Sequence, residues 1–135
     1  MTGLYKPQLE WLNLEWHRAM ISSASVCAQL CEGCSQWRVP PRRYCPNCWS
    51  AASTFEPVSG RGTVVSWSIS HRSLDPGWAE VVPFVTLVVE LEEGPRVLAA
   101  STLSPEKASM GMSVATRVEE AGPDFARIWA ELSDR

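Results

Sequence analysis

The sequence predicts a mainly β chain: a small antiparallel barrel preceded by an N-terminal α-helix and a cysteine-rich ribbon. Three observations carry this. Short alternating apolar runs follow one another from Ser53 onward with no crossover helix between them. Two Cys-x-x-Cys pairs, Cys31/Cys34 and Cys45/Cys48, are separated by ten residues. A helical apolar stripe begins just after Pro7. The implied organisation is a helical segment over 1–23, a ribbon over 24–52, and a barrel with a C-terminal tail over 53–135.

The helix comes first. In QLEWLNLEWHRAMI, which follows Pro7, the residues Leu9, Leu12, Trp16, Ala19 and Met20 recur at helical spacing. Proline suits the first turn, where its missing N–H is no loss. Trp11 and Leu14 lie off that stripe, so apolar residues on more than one face must pack against a partner or against the chain's own body. Ser22, Ser23 and Ser25 end the pattern, and SVCAQLC reads as a short strand entering the ribbon.

The ribbon, CEGCSQWRVPPRRYCPNC over 31–48, places four thiols at a spacing suited to tetrahedral Zn²⁺. Each pair can form a tight knuckle aimed at one centre. The spacer is shorter than in the commonest zinc ribbons, which implies a compact one. Disulfides fit poorly, because nothing else in the chain looks secreted. A redox pair would account for one Cys-x-x-Cys but not two, and it expects a βαβ setting. Four protein thiolates leave no open coordination position, so the zinc expected at Cys31, Cys34, Cys45 and Cys48 is structural. The fifth cysteine, Cys27, falls outside the spacing and reads as a small buried hydrophobe. Arg38, Arg42 and Arg43 flank the stiffening Pro40 and Pro41 and could meet phosphates or carboxylates, or simply be solvated.

Beyond Ser53 the strands alternate. TVVSWSIS (63–70) would put Val65, Trp67 and Ile69 on one face. PFVTLVVEL (83–91) does the same with Val85, Leu87, Val89 and Leu91. EEGP turns the chain into RVLAAST, which makes a hairpin. SPEKASMGM holds a short helical or turn segment, and SVATRVEE (113–120) is another strand. Gly60 and Gly62 suit a bulge or a sharp bend. About five strands of this length fit a five-stranded OB-type barrel best.

Composition narrows function. Of 135 residues, 45% are hydrophobic and 20% charged, as in a folded globular protein. A net charge of −3 speaks against a general nucleic-acid binder. No apolar run is long enough for a membrane span, and the N-terminus lacks the order of a signal peptide. Free thiols imply a reducing compartment, so a cytoplasmic location is expected. Seven tryptophans are many for a chain of this size, and some are expected at a partner surface or only partly buried. Phosphate-binding loops, a dinucleotide fingerprint and a nucleophile elbow are all missing from the sequence. His71, near Asp75, has the one acid–base case, as a His–Asp dyad; a lone loop histidine is more commonly an ordinary polar residue.

Taken together, these stretches resemble an acyl-CoA-associated family that joins a rubredoxin-like zinc ribbon to an OB barrel. The resemblance covers about 8–120 and is carried by the ribbon with its Pro-Pro-Arg, by SGRGTVVSWSISHR (59–72), by PFVTLVVELEEGPRVLAAS (83–101) and by MGMSV (110–114). The family often has glycine after the fourth cysteine, where this chain has Trp49. The resemblance implies a non-catalytic accessory subunit in an acyl-CoA-processing complex. Its partner would be thiolase-like, either a thiolase or a retro-aldolase acting on steroid side chains, and the chain would help shape a channel for the CoA thioester. Other members pair with hotdog-fold enoyl-CoA hydratases, and a single-stranded nucleic-acid-binding module is the rival reading. Within the leading reading, Arg38, Arg42, Arg43, His71, Arg72, Trp78 and Phe84 are the expected contacts to CoA or to the partner.

Overall fold

The cleanest alternation in the sequence becomes a barrel strand paired on both sides. In the computed structural model, which describes residue 9 and residues 11–133, strand β5 (Phe84–Leu91) buries Val85, Leu87, Val89 and Leu91. Before it in the chain come helix α1 (Trp11–Ser23), β1 (Cys27–Cys31), β2 (Trp37–Arg38), β3 (Ser53–Pro57), β4 (Arg61–Ser70) and the one-turn helix α2 (Pro76–Ala79). After it come β6 (Arg96–Ser101), a 3₁₀ turn (Pro105–Lys107), β7 (Ser113–Gly122) and β8 (Phe125–Leu132). The strands close as β4-β5-β6-β8-β7, while β2-β1-β3 form a separate ribbon sheet.

The expected β5–β6 hairpin is present, with Val89 opposite Val97 and Leu87 opposite Ala99. Its turn uses Gly94 at φ +115°, a conformation that costs glycine little. β4 departs from simple alternation. Val64 pairs with Val89 and Ser66 with Val88, so Val65 is the extra residue of a bulge. Val64 is therefore the core residue and Val65 is only half-buried, whereas strict alternation had placed Val65 inward. The bulge lies at Val65 rather than at the glycines, while Gly60, just before β4, takes a positive φ of +82°. Gly62 has a different reason to be glycine: a Cβ there would meet the Glu90 backbone and stand 2.7 Å from Val89 Cγ1.

Residues 125–132 are a strand rather than a tail. β8 pairs with β7 along its whole length and closes the barrel. The stretch FARIWAEL is hard to read as a strand because the buried Arg127 breaks its apolar pattern. Trp129 Nε1–H donates to Glu119 at 2.9 Å, and the Arg127 guanidinium stands 3.5 Å from the same carboxylate. β3 also differs from expectation: it pairs with β1 and belongs to the ribbon sheet.

Helix α1 covers the body of its own chain. Met20 is fully buried, and Trp16, Ala19 and Ile21 pack against the barrel core. Trp16 Nε1–H donates to the Cys27 carbonyl at 2.7 Å, and the Ala126 N–H donates to His17 Nδ1 at 3.0 Å. Of the first expected turn of this helix, Pro7, Gln8 and Glu10 lie outside the described residues, and Leu9, expected on the helical stripe, precedes the helix, which begins at Trp11. Cys27 is buried in the core cluster, with desolvation pushing its thiol up. Of the tryptophans, Trp11 and Trp49 are about three-quarters exposed, and Trp129 is buried. No described helix is long and apolar enough to cross a membrane.

Candidate metal centre and ligand groove

The two knuckles are built alike. Gly33 N–H donates to Cys31 Sγ at 3.3 Å and Asn47 N–H to Cys45 Sγ at 3.4 Å. Ser35 N–H closes on the Cys31 carbonyl at 2.9 Å and Trp49 N–H on the Cys45 carbonyl at 2.8 Å. Ser35 and Trp49, each following the second cysteine of its pair, have φ +63° and +67°. This is the left-handed region where glycine is easiest, which suits the glycine that the family resemblance implies at the second of these positions. Trp49 takes up the same turn, so the substitution leaves the knuckle intact.

All four sulfur atoms lie within 4.8 Å of one another. Cys31 and Cys48 are 3.5 Å apart, and Cys34 and Cys45 are 3.6 Å apart. Thiolates about 2.3 Å from Zn²⁺ define a tetrahedron with edges of about 3.8 Å, so the cluster fits that ion closely. Proton energetics agree. The Cys34 N–H, helped by that of Gly33, pulls Cys31 down to about 6 against desolvation. Cys48 accepts the Ser50 N–H, yet the surrounding thiols and desolvation push it up to about 12. Four thiols this close ionise together only around a cation. Bound there, zinc would cross-link the two knuckles and have no vacant position for chemistry.

The three ribbon arginines separate. Arg42 and Arg43 are exposed, with the Arg43 guanidinium over the Trp11 ring at 5.8 Å. Arg38 is buried and donates from Nη2 to the Arg42 carbonyl at 3.1 Å, while its Nε and Nη1 have no partner. In the 71–84 loop, His71 and Arg72 are exposed. No dyad forms: Asp75 Oδ1 caps α2 by accepting the Gly77 and Trp78 N–H groups, at 2.9 and 3.3 Å. Trp78 packs on Phe84, with ring centroids 4.7 Å apart.

Trp78 also helps to wall a groove of about 500 Å³ between α1, the ribbon loop and the barrel. Trp16 and His17 come from α1, Val39 and Pro40 from the ribbon, Leu98 from β6, and Phe125, Arg127 and Ile128 from β8. The groove opens where β6 and β8 are joined by a single pair, Ala100 with Trp129. His17 stacks on Phe125 at 5.0 Å, and desolvation by burial lowers its pKa. Of the residues expected to contact CoA or a partner, Trp78 lines this groove; Trp16, His17, Leu98 and the β8 residues line it without standing out in the sequence. Only the fold brings their elements together.

The ChsH2 rubredoxin-like zinc ribbon domain matches residues 26–54, and the ChsH2 C-terminal OB-fold domain matches residues 55–119. A DUF35 domain-containing scaffold protein of Methanocaldococcus jannaschii is 32% identical over 70% of this chain and 70% of its own length. The "Probable enoyl-CoA hydratase alpha subunit" of Thermomonospora curvata is 30% identical over 89% of this chain, and the match spans 37% of that relative. Among solved structures, the Ltp2-ChsH2(DUF35) aldolase superposes with a TM-score of 0.82 at 28% identity, covering 94% of this chain and 98% of that one.

Proposed function

Because the chain belongs to the DUF35 family of ChsH2-type zinc-ribbon and OB-fold proteins, we propose that it is a non-catalytic accessory subunit of an acyl-CoA-processing complex. Its partner is a thiolase-like protein, either a thiolase or a retro-aldolase, and the chain helps to form the CoA-thioester channel in a cytoplasmic hetero-oligomer. The observation that carries this reading is the overlap, along nearly the whole length of both chains, with a chain of the Ltp2-ChsH2(DUF35) aldolase. Exposed Tyr44 and Trp49 flank the second knuckle beside exposed Arg42 and Arg43, a composition suited to a protein interface. In this reading Arg42 and Arg43 meet CoA phosphates or partner carboxylates. Trp78, Phe84, His71 and Arg72 lie along the channel or its rim, and buried Arg38 braces the arginine loop from beneath.

Two relatives carry hydratase names, which favours a second reading: service beside a hotdog-fold enoyl-CoA hydratase. One is the Thermomonospora curvata subunit. The other is the 3-oxo-4,17-pregnadiene-20-carboxyl-CoA hydratase alpha subunit of Mycobacterium tuberculosis, 46% identical over 57 residues that make up 18% of its length. Co-expression with a thiolase-like and with a hydratase-type protein encoded nearby separates the two. The first reading expects a stable heteromer with the thiolase-like protein at micromolar concentration. Separate elution of these two proteins sinks it.

A further inference from the structure

We propose that the groove between α1, the ribbon loop and the β6–β8 seam holds the uncharged acyl portion of a thioester and not its nucleotide. The proposal rests on the acyl-CoA reading above and assigns one part of that ligand to one place on this chain.

Charge decides between the two ends of the ligand. A nucleotide with its phosphates needs free cations, and both guanidiniums at the groove already have carboxylates. Arg127 lies 3.5 Å from Glu119, covered by the Trp78 and Phe125 rings at 5.6 and 5.3 Å. Arg96 is 3.3 Å from Glu90. Phosphates placed here would have to compete with two ion pairs. Apart from His17 and Thr86 the remaining walls are apolar, and Leu98 is 67% exposed with its side chain on the open face of β6. An aliphatic or flat apolar group would remove that surface from water without displacing any ion pair.

One polar feature suits an acyl group as well. His17 Nδ1 is an acceptor, held by the Ala126 N–H, so the neutral ring carries its proton on Nε2. That N–H is a donor matched to a carbonyl oxygen. A second hollow of about 300 Å³ lies on the far side of Trp78, lined by Phe84, Pro83, Leu103 and Trp129. Trp78 and Ala100 border both spaces, so a long acyl group has room to continue past the tryptophan. The exposed cations that phosphates could use, Arg42 and Arg43, stand two and three residues beyond Pro40 on the loop that walls the groove. The ligand would then run from a nucleotide on the ribbon to an acyl group in the barrel seam.

The test titrates the zinc-loaded full chain with decanoyl-CoA and with CoA, following tryptophan fluorescence, because Trp16 and Trp78 line the groove. Decanoyl-CoA is expected to bind at least tenfold more tightly than CoA. Leu98→Glu, at an exposed position, is expected to cut decanoyl-CoA affinity tenfold or more with the melting curve unchanged. Leu98→Ala should have a smaller effect in the same direction. Equal affinity for CoA and decanoyl-CoA, indifference to Leu98→Glu, or no binding by the isolated chain overturns the proposal. A heteromer that forms normally while the titration fails would sink the groove assignment and leave the subunit reading standing. A successful titration without a heteromer would do the reverse.

Discussion

Stripping the metal should unravel the knuckles and spare the barrel. Between Leu30 and Ser53 the buried residues are Cys31, Arg38 and Cys45, two of them ligands and the third charged. This segment therefore has no apolar core of its own. Structural zinc in comparably small folds contributes about 10–16 kcal/mol, more than such a loop can recover from hydrogen bonds worth about 1 kcal/mol each. The barrel has an independent interior of Val64, Val85, Leu87, Val89, Leu91, Val97 and Val114. Cys45→Ser, or chelation at neutral pH, should remove one zinc per chain. It should also abolish hydrogen-exchange protection at the Gly33, Ser35, Asn47 and Trp49 amides, which are bonded within the knuckles. Protection at β5 and β6 amides should persist. Knuckle amides that stay protected without metal would refute the reasoning, and so would a barrel that melts together with them.

Other perturbations test the barrel and the loop. Gly62→Ala should destabilise the chain by about 1–3 kcal/mol in chemical denaturation, because the new methyl meets the Glu90 backbone. Glu119 has its pKa lowered by the Trp129 indole N–H and the Arg127 charge, so its contribution is fully present above the ordinary 4.5 and is lost as pH falls through the lower folded value. Glu119→Gln should therefore flatten the stability profile below pH 4.5 while keeping an acceptor for Trp129, which acid titration of the melting temperature will show. Asp75→Ala should loosen α2 by about 1 kcal/mol through loss of its cap, seen as faster exchange at Gly77 and Trp78, whereas His71→Ala should change neither stability nor α2.

The legible parts of the molecule were those where one residue type has one physical use. Four thiols at knuckle spacing have a single good geometry, and the alternation of Val85, Leu87, Val89 and Leu91 admits one orientation of β5. The hidden parts depended on long-range compensation. Val65 faces the wrong way because a bulge shifts the register by one residue, and no local pattern announces a bulge. β8 is hard to read because Arg127 is accommodated inside with the help of Glu119, Trp78 and Phe125, two of which reach it from elsewhere in the chain. Asp75 looked like a partner for His71 by proximity in sequence, but the first turn of α2 claims its carboxylate.

Zinc site and groove share one loop, so a mechanical link between them is expected and can be measured. Val39 and Pro40, which wall the groove, lie in sequence between the two knuckles, on a loop that also packs Val39 on the core and pairs Arg42 with Gln29. If metal loss frees that loop, the groove loses one wall while Trp16, Phe125, Leu98 and Ile128 stay with the barrel. Removing contact with one aliphatic side chain of this size is worth about 1.5–3 kcal/mol when burial is complete, so partial contact with two implies about 1.4 kcal/mol, or about tenfold in affinity. Decanoyl-CoA should therefore bind the chelated chain about tenfold more weakly than the zinc-loaded chain, and added Zn²⁺ should restore the tighter value. Unchanged affinity after verified metal loss would mean that the ribbon contributes nothing to the groove. The metal would then hold a surface whose use lies elsewhere, at the exposed Tyr44 and Trp49 beside the second knuckle.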